Sequence, residues 1–235
     1  MTGNDKLYIG SFIFILGDLM NFSRRSFVLG AACASLFSAA PVRAAVVESI
    51  KNAKTKLDQA ANQPVKIKVS GKGKLIDNEK DLLAVIDGFR KKIGTSPVMA
   101  FGVKFDPFDR AVITYQPRAN AEELQTIGYE KGEIEGKPRP FKLLGKAKVA
   151  DNVFDIGTVK FNLLPALVAE ARKRTMTEAK TKTTYGITTE IGQSRTKDNR
   201  VGQVRIAITV ATDSKSVGYL MASETGDVVE FRIKT

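Results

Sequence analysis

Apolar residues recur at helical spacing in three stretches of the chain, and each stretch marks a predicted helix. The first covers residues 46–61 and is closed by Pro64. The second, "NEKDLLAVIDGFRKKIG", begins at the N-cap residue Asn78 and ends at Gly94. The third, "KFNLLPALVAEARKRT", has Asn162 as its expected N-cap. Each of these helices presents one apolar face, so each is expected to cover a core.

Alternating apolar and polar residues predict antiparallel strands around and after these helices. In the first half, "VKIKV" is a predicted strand, residues 101–115 form a hairpin around the turn at 106–109, and "GYEKGEIEGKPRPFKLLG" supplies a further strand pair. In the second half, "TTYGITTEIGQ" and "QVRIAITVAT" are predicted strands, and a last hairpin turns at residues 225–227.

Both halves therefore follow the order helix, then antiparallel strands, which favours an α+β fold. We predict two related modules, each an antiparallel sheet covered on one face by a helix. The predicted boundaries are 1–44 for an upstream extension and signal peptide, 45–150 for the N-terminal module and 151–235 for the C-terminal module.

The segment "SRRSFVLGAACASLFSAAPVRA", residues 23–44, has the pattern of a cleaved export signal. Two arginines precede an apolar stretch, and the segment ends in small residues, with Ala44 as the expected last residue removed. A buried N-terminal helix is the alternative, but Gly30 and Pro41 weaken it. The upstream apolar run "YIGSFIFILG" is too short to span a bilayer, and we predict Met20 as the start.

Residues Ser23 to Leu29, with Arg24 and Arg25 at their centre, resemble the twin-arginine signal. That resemblance implies a bacterial chain that folds in the cytoplasm, crosses the membrane folded and resides in the periplasm. The paired arginines are then an address read by a receptor and not an anchor.

The net charge of the chain is +12, and residues 1–44 carry four basic and two acidic residues, so the remainder carries +10. This balance favours anionic neighbours such as lipid headgroups, lipopolysaccharide or acidic polymers. The expected partner is a protein or an anionic envelope component, with peripheral contact to a membrane as a further expectation. Nucleic acid is not expected, because an exported protein rarely meets it. The alternative is that the lysines are only a solvated surface. The oligomeric state stays open.

Residue types for common catalytic chemistry are scarce. The chain has no histidine, and its single cysteine, Cys33, lies in the predicted signal. The usual nucleophiles, bases and transition-metal ligands are therefore missing, and we predict no catalytic residue, no metal and no cofactor. Carboxylate pairs, Asp106 with Asp109 and Glu122 with Glu123, leave a hydrolase as the alternative. Such an enzyme requires two carboxylates about 5 to 10 Å apart across a cleft.

The stretch "YLMASETGDVVEF", residues 219–231, resembles the closing hairpin of PepSY and similar exported modules, and "YEKGEI" is a fainter copy in the first half. The helix "LLPALVAEA" stands where that family has its leading helix. The resemblance implies a small binding or inhibitory module of the cell envelope without catalytic residues.

The connection "SRTKDNR" is the candidate binding site. It joins two apolar strands and carries Arg195, Lys197 and Arg200 where a tight turn would suffice. The sequence therefore predicts an exported, periplasmic, non-catalytic binding module that recognises a protein or an anionic envelope component. The alternative is a carboxylate-dependent, glycosidase-like hydrolase of the cell envelope.

Overall fold

The computed structural model describes residues 40–71, 73–143, 148–195 and 201–235. The chain divides into two compact units, Met1–Asp58 and Gln59–Thr235. Helix α1 spans Ala40–Ala61. Its residues up to Asp58 are the described part of the first unit, and its last residues belong to the second unit. It confirms the helix predicted at 46–61 and begins earlier. Along it, Val47 and Ile50 are exposed.

A single antiparallel sheet of 11 strands dominates the described part of the second unit. Its main path runs in the order β1-β5-β4-β3-β2-β8-β9-β10-β11, while β6 pairs with β4 and β7 with β2. The strands span Val65–Lys66 (β1), Met99–Phe105 (β2), Ala111–Tyr115 (β3), Leu124–Glu130 (β4), Glu133–Ile134 (β5), Arg139–Phe141 (β6), Phe154–Asp155 (β7), Thr184–Arg195 (β8), Val201–Thr212 (β9), Val217–Ser223 (β10) and Val228–Lys234 (β11).

The predicted fold of two separate helix-covered sheets is wrong, because β2 pairs with β8 and makes the strands of both halves one sheet. In this pairing Val103 lies opposite Ile191 and Lys104 opposite Glu190. Alternation along a strand shows which face is buried, but it does not show which strand lies alongside. Joining the two halves pairs backbone groups that two separate sheets would have left at exposed edges.

Helix α2, Glu79–Ile93, forms as its sequence predicts. The side chain of Asn78 accepts a hydrogen bond from the backbone N–H of Asp81 at 3.2 Å. Gly94 ends the helix in the left-handed conformation with a φ of 67°, which glycine adopts without strain. The inward face of α2 is fully buried and consists of Leu82, Val85, Ile86 and Phe89.

Helix α3, Leu164–Glu178, also forms, but its predicted cap is wrong. Asn162 lies within a short 3-10 helix, Phe161–Leu163, and Leu163 occupies the N-cap position without a side-chain hydrogen bond. Pro165 sits in the first turn, where its fixed φ suits the helix and its missing N–H costs nothing. The buried face of α3 includes Leu164, Leu167, Val168 and Ala171.

Residues of α2 and α3 join one main hydrophobic cluster with alternate residues of the strands. Ile113 of β3 and Ile206, Ile208 and Val210 of β9 belong to it, and all four are buried. A second, smaller cluster is built from Leu124, Val149 and Val153, with Met99, Phe101 and Leu143 packed against it. Among the helices of the described ranges, none is both long and apolar enough to cross a membrane.

Candidate functional site

The face of the sheet opposite the main cluster, here called the open face, carries a groove of about 680 Å³. The open-face groove crosses five neighbouring strands, β3, β2, β8, β9 and β10, and so depends on the pairing of β2 with β8. Its lining includes Phe101, Gly102, Lys104, Val112, Thr114, Phe141, Asn152, Glu190, Gly192, Gln193, Arg205, Ala207 and Met221.

Small and apolar residues form much of the floor of the open-face groove. Gly102 and Gly192 lie opposite each other across the β2–β8 pair, which leaves the floor low at that point. The rings of Phe101 and Phe141 are in contact, with centroids 5.7 Å apart. A register shift between Ala100 and Gly102 sets Phe101 off the strict alternation of β2, so that it lines the groove. The floor can therefore accept apolar ligand groups.

Charged side chains interrupt this floor at two places. The Nζ of Lys104 donates a hydrogen bond to Oε1 of Glu190 at 2.7 Å, and both side chains are more than half exposed. An exposed ion pair of this kind contributes about 0 to 1 kcal/mol to stability, so a ligand can displace it cheaply. The guanidinium of Arg205 donates to Oε1 of Gln203 at 2.6 Å on the same strand.

Of the three candidate basic residues, the structure describes only the backbone of Arg195. Gln193 lines the groove, and Arg195 is the last residue of β8, where its backbone pairs with Val201. The β8–β9 hairpin extends beyond the part of β8 that pairs with β2, because Gly192 is the last residue of β8 in that pairing. Lys197 and Arg200 lie outside the described residues, as do the signal residues Arg24 and Arg25.

A second cleft of about 550 Å³ adjoins the open-face groove, because Lys104 and Val112 line both. Asp106 in this cleft accepts a hydrogen bond from Nε of Arg110 at 2.6 Å and from the backbone N–H of Phe108 at 2.8 Å. Glu135 accepts from the backbone N–H of Gly128 at 2.9 Å and from Arg139 at 3.1 Å. Two of its carboxylates are therefore engaged in holding turns and neighbouring strands.

The carboxylate pairs considered for hydrolysis do not converge on one site. Asp109 accepts a hydrogen bond from the backbone N–H of Leu75 at 2.9 Å and so joins two loops. Glu122 and Glu123 line a separate depression of about 310 Å³. Glu190 is the one acid of the described part of the chain that lines the open-face groove. Within the described ranges, no three histidine, cysteine, aspartate or glutamate side chains are arranged to hold a metal ion.

No family model, no curated protein and no solved structure matches this chain. The resemblances to the twin-arginine signal and to PepSY modules therefore stay predictions. Sequence reasoning missed the groove residues Lys104, Glu190, Ala207 and Met221. Their alternation with buried neighbours was visible and marks the outward face of each strand. These residues lie close together because of the order of the strands in the sheet. Alternation along a single strand does not indicate that order.

Proposed function

We propose that this protein is a non-catalytic binding module that takes an anionic, partly apolar component of the cell envelope in its open-face groove. The observation that carries the proposal is the groove itself. Its volume of about 680 Å³ lies within the range of small-ligand sites, roughly 300 to 1,000 Å³. Its lining combines apolar residues with a few charged side chains, as ligand sites commonly do.

In this proposal the two parts of the ligand meet different parts of the site. The apolar part lies over Gly102, Gly192, Ala207 and Met221, where its burial removes apolar surface from water. The anionic part is attracted to the end of the β8–β9 hairpin, where Arg195, Lys197 and Arg200 follow one another closely in sequence. The net positive charge of the chain supports the same preference.

The non-catalytic part of the proposal rests on the placement of the acids. Hydrolysis by two carboxylates needs both at one bond. Among the residues that the structure describes, Glu190 is the one acid lining the open-face groove, and it is paired with Lys104. The periplasmic location is proposed from the signal-like segment with Arg24 and Arg25.

Blocking the groove tests the proposal. The chain contains no tryptophan, so Ala207→Trp both fills the groove and introduces a single fluorescent reporter. We expect the wild type to bind single-chain lysophosphatidylglycerol, measured by calorimetry, and Ala207→Trp to bind at least about tenfold more weakly, since a tenfold change is about 1.4 kcal/mol. The matched control is Ala166→Trp on the exposed side of α3, which should bind as the wild type does.

A second variant separates the groove from the basic hairpin end. Replacing Arg195, Lys197 and Arg200 together with glutamine should weaken binding at low salt and reduce its salt dependence, because exposed charges act through a screened field. If Ala207→Trp weakens binding and the triple glutamine variant does not, the groove remains the proposed site and the hairpin end is not part of it. If the wild type does not bind, or if Ala207→Trp and Ala166→Trp bind equally, the proposal is wrong.

A further inference from the structure

Strand β11 forms one end of the sheet in the described part of the chain. The strand order ends with β11, which pairs with β10 on one side. It is seven residues long, and most of its residues are exposed, with Val228 at 40% and Val229 at 54%. The outward N–H and C=O groups of an edge strand can pair with a strand of another chain.

We propose that β11 pairs in antiparallel register with β11 of a second copy of this chain, about a twofold axis at Phe231. Such an axis stands perpendicular to the sheet and keeps the helices of both copies on the same side. Most soluble oligomers are symmetric, and a twofold interface uses the same surface on both copies. The occupant proposed for this edge is the chain itself.

The charges of β11 select this register. Centring the pair on Phe231 places Glu230 of each copy opposite Arg232 of the other, so two opposite-charge pairs form at once. Centring it on Glu230 or on Arg232 would place that residue opposite its own copy, and like charges directly across a strand pair repel. The Phe231 register is thus self-complementary, and its nearest alternatives are not.

The side chains that form these pairs are accessible and lie on one face. Glu230 is opposite Met221 and Arg232 is opposite Tyr219, so both belong to the open face. Within one copy the two charges are 4.0 Å apart, and both side chains are at least half exposed. The guanidinium of Arg232 lies 5.4 Å from the centroid of the Tyr219 ring, which orients it.

Apolar residues support the pair on the helix side of the sheet. Phe231 lies opposite Leu220, belongs to the edge of the main cluster and meets its own copy at the twofold axis. In the same register Val229 stands opposite Ile233 of the second copy. A register shift between Met221 and Ala222 ends the regular ladder near Val229 and keeps the pairing short. We therefore expect a weak dimer that forms with increasing concentration.

Charge reversal tests the pairing by sedimentation velocity over a concentration series. The wild type should approach twice the mass of a single chain at high concentration. Glu230→Arg and Arg232→Glu should each weaken dimerisation at least about tenfold, since each creates like-charge pairs. The double variant Glu230→Arg/Arg232→Glu should dimerise as the wild type does. Mixing the two single variants should restore a dimer, because their charges are complementary.

Two controls make the result specific. Glu178→Arg, near the end of α3, changes the net charge as Glu230→Arg does and should leave dimerisation unchanged. Circular dichroism of each variant shows whether the sheet is intact. The proposal is overturned if the wild type stays monomeric at every concentration, as an edge used by a different protein would give. It is also overturned if single variants dimerise normally, or if neither the double variant nor the mixture recovers the dimer.

Discussion

Tyr115 shows how a single buried side chain affects the behaviour of the whole protein. It lies on the helix side of β3 with 5% of its surface exposed, and its hydroxyl donates a hydrogen bond to Oε1 of Gln125 at 3.0 Å. Burial raises the pKa of this phenol to about 12, because the charged phenolate is poorly solvated there. In the folded protein Tyr115 therefore stays protonated at pH values well above the ordinary pKa of tyrosine.

The raised pKa predicts that stability falls at high pH. Above an unfolded-state pKa near 10 the unfolded chain loses the Tyr115 proton while the native chain keeps it, so the free energy of unfolding drops from pH 10 to 12. Denaturant titrations across this range measure the slope, which Tyr115→Phe should reduce. Tyr185→Phe, at a residue that is 73% exposed, should leave the slope unchanged. Equal slopes for wild type and Tyr115→Phe would refute the assignment.

Close contact between elements depends on small residues, and the packing of α3 on β10 is an example. A Cβ added at Gly218 of β10 would overlap the side chain of Thr175 in α3. Thr175 is fully buried, and its hydroxyl donates to the carbonyl of Ala171 at 2.7 Å. The helix therefore lies directly on a strand position that has no side chain.

Gly218→Ala should consequently destabilise the protein by about 1 to 3 kcal/mol, because the added methyl group forces α3 away from the sheet. Gly192→Ala is the matched control, since its Cβ would meet the carbonyl of Phe101 at an ordinary 3.5 Å. We expect thermal unfolding to show a lower Tm for Gly218→Ala than for Gly192→Ala. The contact would be dispensable if the two variants melted together.

At the scale of the whole molecule, the shared sheet makes the two halves depend on each other. Ile191 of β8 is 2% exposed and lies opposite Val103 of β2, where the halves join. Strands of both halves lie on either side of this pair, and residues of α2 and α3 belong to the same main hydrophobic cluster. Folding of one half is therefore expected to require the other.

We predict one cooperative unfolding transition for residues 59–235, with amides of β4 and β10 losing hydrogen-exchange protection at the same denaturant concentration. Ile191→Ala should lower that stability by about 2 to 5 kcal/mol for both strands together. Val229→Ala, at the exposed outer edge, should change it by less than about 0.5 kcal/mol. Separate transitions for β4 and β10 would contradict this prediction.

The sequence by itself determined the local elements. Asn78 and Gly94 mark the ends of α2 because caps act on the nearest backbone groups, and helical spacing identified its buried face. Alternation likewise identified Ile206, Ile208 and Val210 as the buried side of β9. These signals lie within a few residues of one another, so they can be found in a sequence without knowledge of distant neighbours.

Only the tertiary structure decided how these elements combine. The hydrogen bond between Lys104 and Glu190 joins residues that are 86 positions apart in the sequence. The open-face groove likewise exists because β2 and β8 lie side by side in the sheet. The missed cap of α3 has the same origin, since a 3-10 turn ahead of Leu164 sets where that helix starts. The order of the strands and the residue at which a helix begins depend on packing between segments that are far apart in the sequence. The residue pattern of one segment does not contain that information.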